Sequence, residues 1–88
     1  MNRKEFTLVW VNRVRKVFNK KPLASLPKGI IGSAWKCPVA LALGAEVADD
    51  SYISIRENGV VVKITEPPIS VCKFILDFDM GKYPELVR

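Results

Sequence analysis

Cys37 is the residue of this chain with the clearest reason to do chemistry. It precedes Pro38 at the expected start of a helix, where the helix dipole and the adjacent Lys36 favour a thiolate. The chain contains no histidine, however, so the commonest general base is absent and cysteine–histidine and serine–histidine pairs are excluded. The simpler interpretation is a small apolar cap on a buried helix. We therefore predict no catalytic residue and no enzymatic activity.

The other candidate ligands do not form a predicted metal site. Two cysteines without a histidine cannot supply the four ligands of a structural zinc. Asp49 and Asp50 stand side by side, where we expect them to form a turn. Asp77 and Asp79 are two residues apart on an expected helix and so point in different directions. We predict neither a metal nor a cofactor.

Basic residues are concentrated in the first part of the chain. Residues 1–36 contain nine Lys or Arg and one Glu, a net charge of +8, whereas residues 37–88 carry a net charge of −3. The cluster on or just beyond the first expected helix consists of Arg13, Arg15, Lys16, Lys20 and Lys21. It is either a solvated face, a complement to the acidic remainder, or a site for non-specific contacts with nucleic-acid phosphates.

Aromatic residues indicate a second kind of partner. The candidate contacts with another protein are Phe6, Trp10, Trp35 and Tyr83. These are many aromatic side chains for so small a core, and exposed aromatic residues often anchor protein interfaces. Two interpretations stay open, a core role and an interface role. A homodimer that buries the first helix would also enlarge the thin core of a chain of 88 residues.

Hydrophobic periodicity predicts a small single domain of the α+β class, in the order helix, loop, short helix, β-hairpin, helix. Helical spacing over residues 3–20 places one set of apolar side chains on a single arc, with Val11 at its edge. The set is Phe6, Trp10, Val14, Val17 and Phe18. Residues 21–36, rich in proline and glycine, predict an ordered connection that lies against the core.

The second half of the chain gives sharper boundaries. A short buried helix is predicted over residues 37–44, and Asn58-Gly59 predicts a type I′ turn in a hairpin over residues 52–65. A last helix is predicted over residues 69–80, followed by an irregular tail. No secretory signal or membrane-spanning run is recognisable, so we expect the protein in the cytoplasm.

Two short motifs resemble a known group of proteins. Cys37-Pro38-Val39-Ala40 and the later segment Phe78-Asp79-Met80-Gly81-Lys82 are similar to motifs of small uncharacterised proteins encoded by bacteriophages of actinobacteria. The resemblance covers about residues 37–86 and implies a phage origin. That group has no established activity, so the resemblance implies no site residue.

The sequence thus predicts a non-enzymatic binding or accessory protein that contacts a host or phage protein. The alternative is an accessory protein that binds the backbone of DNA or RNA through the basic first helix.

Overall fold

The computed structural model describes residues 1–49 and 51–88, so Asp50, one of the two residues of the predicted turn, lies outside the described residues. The elements are α1 (Arg3–Val17), α2 (Pro38–Leu43), β1 (Ala45–Ala48), β2 (Ile53–Glu57), β3 (Val60–Ile64) and α3 (Ile69–Asp79), followed by a 3-10 helix at Pro84–Leu86. The predicted α+β class and the predicted order of helices and hairpin are confirmed.

Helix α1 begins where periodicity predicts and ends earlier. Asn2 caps its start, because the Asn2 side chain accepts a hydrogen bond of 2.8 Å from the Glu5 N–H. The predicted end at Lys20 is wrong. Phe18 is the C-cap, and Asn19 has a φ of 59°, in the left-handed region where asparagine is one of the few residues tolerated.

The buried side of α1 is rotated relative to the predicted arc. Thr7 and Val11 are fully buried, whereas Val17, placed on the arc by its spacing, is 79% exposed. Phe6 and Trp10 are half-buried at the border. Val17 is the last residue of the helix, so no further helical turn covers its side chain.

Helix α2 is short, buried and closed at both ends. The Cys37 sulfur accepts from the Ala40 N–H at 3.4 Å, and Pro38 occupies the first turn. Gly44 ends the helix in the left-handed conformation. Both boundaries agree with the prediction.

The sheet contains one strand more than the predicted hairpin. β2 and β3 pair antiparallel, with Ile53 opposite Ile64 and Glu57 opposite Val60, and the turn has the predicted positive φ values, 51° at Asn58 and 78° at Gly59. β1 adds to the other side of β2, giving the order β1-β2-β3. Its sequence, AEVA, has weak strand propensity, so pairing with β2 and not local preference makes it a strand.

The core lies between the helices and the sheet. Its largest buried side chains are Phe74 and Phe78 of α3, Ile53 and Ile55 of β2, Val11 of α1 and Val39 of α2. Ala48 of β1 also lies in this core, and β3 contributes only the half-buried Ile64.

Backbone hydrogen bonds join the connection between α1 and α2 to the C-terminal tail. The Gly29 N–H donates to the Leu86 carbonyl and the Arg88 N–H to the Gly29 carbonyl, both at 2.8 Å. The expectation of an irregular tail is wrong for this reason: the tail forms a 3-10 helix and then a parallel bridge from Val87 to Gly29. In the described part of the chain no helix has the length and apolar character needed to cross a membrane.

Candidate functional surfaces

Arg15, one of the five basic residues predicted to meet nucleic acid, points into the protein. Its guanidinium donates to the Lys21 carbonyl at 2.9 Å and to the Ala42 carbonyl at 2.6 Å. It thereby fixes the chain after α1 and the last turn of α2. Arg15 is a structural residue here, and two of its N–H donors are already used within the chain.

The other basic residues line or flank a groove along the outer side of α1. The groove has a volume of about 600 Å³ and is lined by Val9, Asn12, Arg13, Lys16, Lys20 and Pro22. Lys20 Nζ lies 3.7 Å from a carboxylate oxygen of Glu57, so part of its charge is compensated. Within residues 1–49 and 51–88, Arg13, Lys16 and Lys21 make no ion pair. The groove thus combines cationic side chains with the apolar surfaces of Val9 and Pro22.

The four aromatic residues predicted as protein contacts are placed unequally. Trp35 is 62% exposed, in the connection between α1 and α2. Phe6, Trp10 and Tyr83 are half-buried and pack against the core. The Tyr83 ring lies 4.8 Å from that of Phe74, and burial together with the charge of Asp77 raises the pKa of its hydroxyl. Trp35 is the member of the set most accessible to a partner.

The solvent side of α3 is apolar, a feature that the sequence interpretation missed. Ile69 is 72% exposed and Met80, its C-cap residue, 71% exposed, with Leu76 exposed between them. These residues lie on one stripe of the helix, opposite the buried Phe74 and Phe78, and Lys73 interrupts it. Their spacing of seven and four residues was visible in the sequence and is the pattern of a second helix face.

The connection before α2 is hydrogen-bonded to the end of α3 and also exposes apolar residues. The Gly32 N–H donates to Asp79 Oδ1 at 3.1 Å, and the Ile30 N–H donates to the Lys36 carbonyl at 2.8 Å. The residues between are thus held in a closed loop beside the end of α3, with Ile31 and Trp35 exposed. We call the combined surface the apolar face; it consists of Ile30, Ile31, Trp35, Ile69, Leu76 and Met80.

The charges that border the apolar face are mainly positive. Lys28 and Lys36 flank the loop, and Lys73 lies on the stripe of α3. All three are exposed and make no ion pair with any described residue. Asp79 contributes a single negative charge and is already engaged by Gly32.

Cys37 is a cap and a core residue. Its side chain is 1% exposed, and its thiol donates to the Ala48 carbonyl at 3.7 Å. Burial raises the pKa of the thiol in spite of the backbone hydrogen bonds that favour the thiolate. This environment favours packing over nucleophilic chemistry.

Asp49 forms the turn expected of it. Its carboxylate accepts from the Ser51 N–H and hydroxyl, both at 2.8 Å, and from the Tyr52 N–H at 3.0 Å. Although partial burial acts to raise it, these hydrogen bonds hold the pKa of Asp49 below its ordinary value. Among the described residues, no group of three or more His, Cys, Asp or Glu side chains converges to hold a metal ion.

No protein-family model matches this sequence, and no curated protein or solved structure is significantly similar to it.

Proposed function

We propose that this chain is a non-enzymatic binding protein that acts through the apolar face on a protein partner. The observation that carries the proposal is the exposed stripe of α3, together with the exposed Ile31 and Trp35 of the loop that is hydrogen-bonded to Asp79. An amphipathic helix on the surface of a monomer normally presents polar residues to water, and α3 presents apolar ones. Exposed apolar residues of this kind are enriched at protein interfaces.

The chemistry of the border defines the partner further. Lys28, Lys36 and Lys73 surround the apolar face and have no acidic partner in the described part of the chain. A protein surface with an apolar centre and an acidic rim complements this arrangement. Trp35 is the side chain best suited to anchor the contact, since tryptophan is enriched among the residues that dominate binding energy.

The test is retention of partners by matched variants. The tagged protein is incubated with nuclease-treated lysate of an actinobacterium, the host class that the resemblance implies. Met80→Glu and Trp35→Ala alter the apolar face, and Val17→Glu is the control, because Val17 is also a strongly exposed apolar residue but lies at the end of α1. Retained proteins are identified by mass spectrometry, and melting temperatures verify that each variant folds.

We expect the wild type and Val17→Glu to retain the same protein, and both other variants to bind it at least tenfold more weakly. Equal retention by folded Met80→Glu, Trp35→Ala and wild-type chains would contradict the proposal. Purified partner, measured by calorimetry in 50 and 300 mM salt, should bind more weakly at high salt, because the basic border contributes attraction that salt screens.

A second candidate function is supported by the groove on α1. Arg13 and Lys16 line it without an ion pair among the described residues, as contacts to phosphates require. Under this alternative the protein binds the DNA or RNA backbone with little dependence on sequence. Arg13→Gln and Lys16→Gln should each reduce the salt dependence of DNA binding by about one unit of slope. Unchanged slopes would exclude the groove as the binding site.

The cytoplasm of the host cell is the proposed location, and a phage gene the proposed origin. The proposed origin is supported by the two short motifs that resemble phage proteins. Phe6, Trp10 and Tyr83 remain predicted contacts whose exposure is smaller than that of Trp35.

A further inference from the structure

Strand β3 is an edge of the sheet and is exposed on both faces. Along it Val60, Val61 and Val62 are 62%, 49% and 38% exposed. Successive residues of a strand point to opposite faces, so both faces of β3 are exposed over residues 60–62, whereas Ile64 at its end is half-buried against the core. β-branched residues in this arrangement have high strand propensity and little to pack against within the chain.

The backbone of β3 also has an open side. Because the turn has two residues, the flanking pair Glu57–Val60 is hydrogen-bonded, and hydrogen-bonded pairs then alternate along the hairpin. Val62 therefore bonds to Ile55, whereas the N–H and C=O groups of Val61 and Lys63 point away from β2. Such a row of outward groups is a template for another strand.

The opposite edge of the sheet is protected. β1 carries a bulge between Ala45 and Val47, and the Ala48 N–H is already bonded to the Ala34 carbonyl at 2.7 Å. Bulges and covering loops are the usual protections of an edge strand. β3 is paired with β2 without a bulge and contains no proline.

A lysine on an edge strand is another common protection, and here it is turned aside. Lys63 is the charged residue of β3, and its Nζ lies 4.5 Å from the centre of the Tyr52 ring. Tyr52 precedes β2, so the ammonium group lies over the sheet of its own chain and does not project beyond the open edge, although its charge stays close to it.

We propose that β3 pairs with β3 of a second copy of this chain, antiparallel and about a two-fold axis through Val62. In this register Val61 lies opposite Lys63 of the second copy, and the two residues exchange two backbone hydrogen bonds. The symmetric pair, Lys63 with Val61 of the second copy, forms two more, so the contact has four hydrogen bonds. Val60 lies opposite Ile64, and one face then carries a continuous row of Val and Ile side chains. A self-complementary surface of this kind is what a two-fold dimer requires.

In two neighbouring registers the N–H and C=O groups of Val61 and Lys63 also face the second copy, but both registers are less stable. An axis through Lys63 places the two lysines directly opposite, which is destabilising. An axis through Val61 pairs Lys63 with Gly59 in the turn and leaves one hydrogen-bonded pair within the strands. Charge placement and hydrogen bonding thus both select the axis through Val62.

The contact is small, so the dimer should be weak. A strand of five residues is well below the roughly 20–30 residues per partner of a standard stable interface. We expect dissociation in the micromolar range or weaker, with monomer and dimer in exchange.

Sedimentation velocity over a concentration series tests this proposal with a pair of opposite charges. Val61→Glu places a carboxylate opposite Lys63 of the second copy at two symmetric positions and should tighten the dimer threefold or more. Val61→Lys places like charges there and should weaken the dimer by a similar factor. Val61 is on the outer face and exposed, so both variants should fold, and circular dichroism verifies this.

The register is tested by cross-linking in a Cys72→Ser background. Val62→Cys brings two thiols together across the axis, in a non-hydrogen-bonded pair within disulfide range, and should give a covalent dimer on mild oxidation. Val60→Cys is the matched control, since Val60 lies opposite Ile64 and should remain monomeric.

A monomer at every concentration up to 1 mM would overturn the proposal. So would a dimer that Val61→Glu weakens, or one cross-linked through Val60→Cys in preference to Val62→Cys. A dimer disrupted by Met80→Glu and insensitive to both Val61 substitutions would assign self-association to the apolar face instead.

Discussion

Arg13 and Arg15 show how two similar residues on one helix acquire different roles. They are two positions apart and so point in different directions. Arg13 lines an open groove, whereas Arg15 bonds to the carbonyls of Lys21 and Ala42. The sequence placed both residues in one basic cluster. The Lys21 and Ala42 carbonyls that distinguish Arg15 are brought to it only by the tertiary fold.

This difference predicts unequal effects on stability. Arg15→Gln should lower the free energy of unfolding by about 1–3 kcal/mol, because two hydrogen bonds from a charged donor are lost, the one to the Ala42 carbonyl being partly buried. Arg13→Gln, the control, should stay within about 0.5 kcal/mol of the wild type. Urea denaturation measures both. Equal effects would show that Arg15 does not fix the end of α1.

At the scale of elements, the hairpin turn was predictable because its chemistry is local. Gly59 has a φ of 78°, and a Cβ atom built there meets no atom within 4 Å. Gly59→Val should therefore destabilise the domain by about 1–2 kcal/mol or more through backbone strain alone. Gly59→Asn should cost clearly less, since asparagine tolerates this conformation. Similar losses for the two variants in thermal unfolding would contradict the turn assignment.

The pairing of α1 with α3 predicts a dependence on pH. Arg3 Nη1 donates to Asp77 Oδ2 at 2.7 Å, and this hydrogen bond, with help from Lys82, holds the pKa of Asp77 below its ordinary value. A carboxyl group with a lowered pKa in the folded state stabilises the fold above its unfolded pKa, and this contribution is lost as pH falls through the folded pKa.

Wild-type stability should accordingly fall more steeply than that of Asp77→Asn between about pH 5 and pH 2. At pH 7 the variant should be the less stable of the two. Asp49 has a lowered pKa in both proteins, so the difference between their urea-denaturation curves isolates Asp77. Parallel pH profiles would show that the Arg3–Asp77 contact contributes nothing in solution.

β1 is the strand that the sequence did not predict. Helices α2 and α3 and the hairpin are defined by local features such as Pro38, Asn58-Gly59 and the spacing of Phe74 and Phe78. β1 lacks such features, because its strand conformation depends on pairing with β2 and on the Ala34 carbonyl. The predicted end of α1 was wrong for a related reason. Asn19 adopts a left-handed conformation because the chain turns there, and the position of that turn is set by the tertiary fold.

At the scale of the whole molecule, the C-terminal segment holds the connection between α1 and α2. Leu86 is buried, and its carbonyl accepts from the Gly29 N–H. A Cβ at Gly29 would overlap the Lys36 carbonyl oxygen and the Pro38 ring, so this crossing is closely packed. The tail thereby supports the loop that presents Ile31 and Trp35.

Leu86→Ala should destabilise the protein by about 2–4 kcal/mol, a large share of the stability of a domain this small. Hydrogen exchange should also accelerate in residues 29–36 more than in the hairpin, because the loop loses its support. Uniform acceleration across the chain would mean that the tail stabilises the core and not this loop in particular.

The surfaces were less predictable than the fold. Trp35 was one of four aromatic residues for which a core role and an interface role stayed open, and it is the exposed one of the four. The α3 stripe was overlooked because one apolar face already satisfied the helical pattern. Which of two apolar faces is buried depends on how elements pack, and no local rule decides it.

The unequal edges of the sheet also limit how far association can proceed. Two copies joined through β3 would form one sheet of six strands with β1 of each copy at its outer margins. Both margins would carry the bulge and the Ala34 contact, so neither could accept a further chain. Association would stop at the dimer, unlike the open-ended stacking of strands that leads to fibrils.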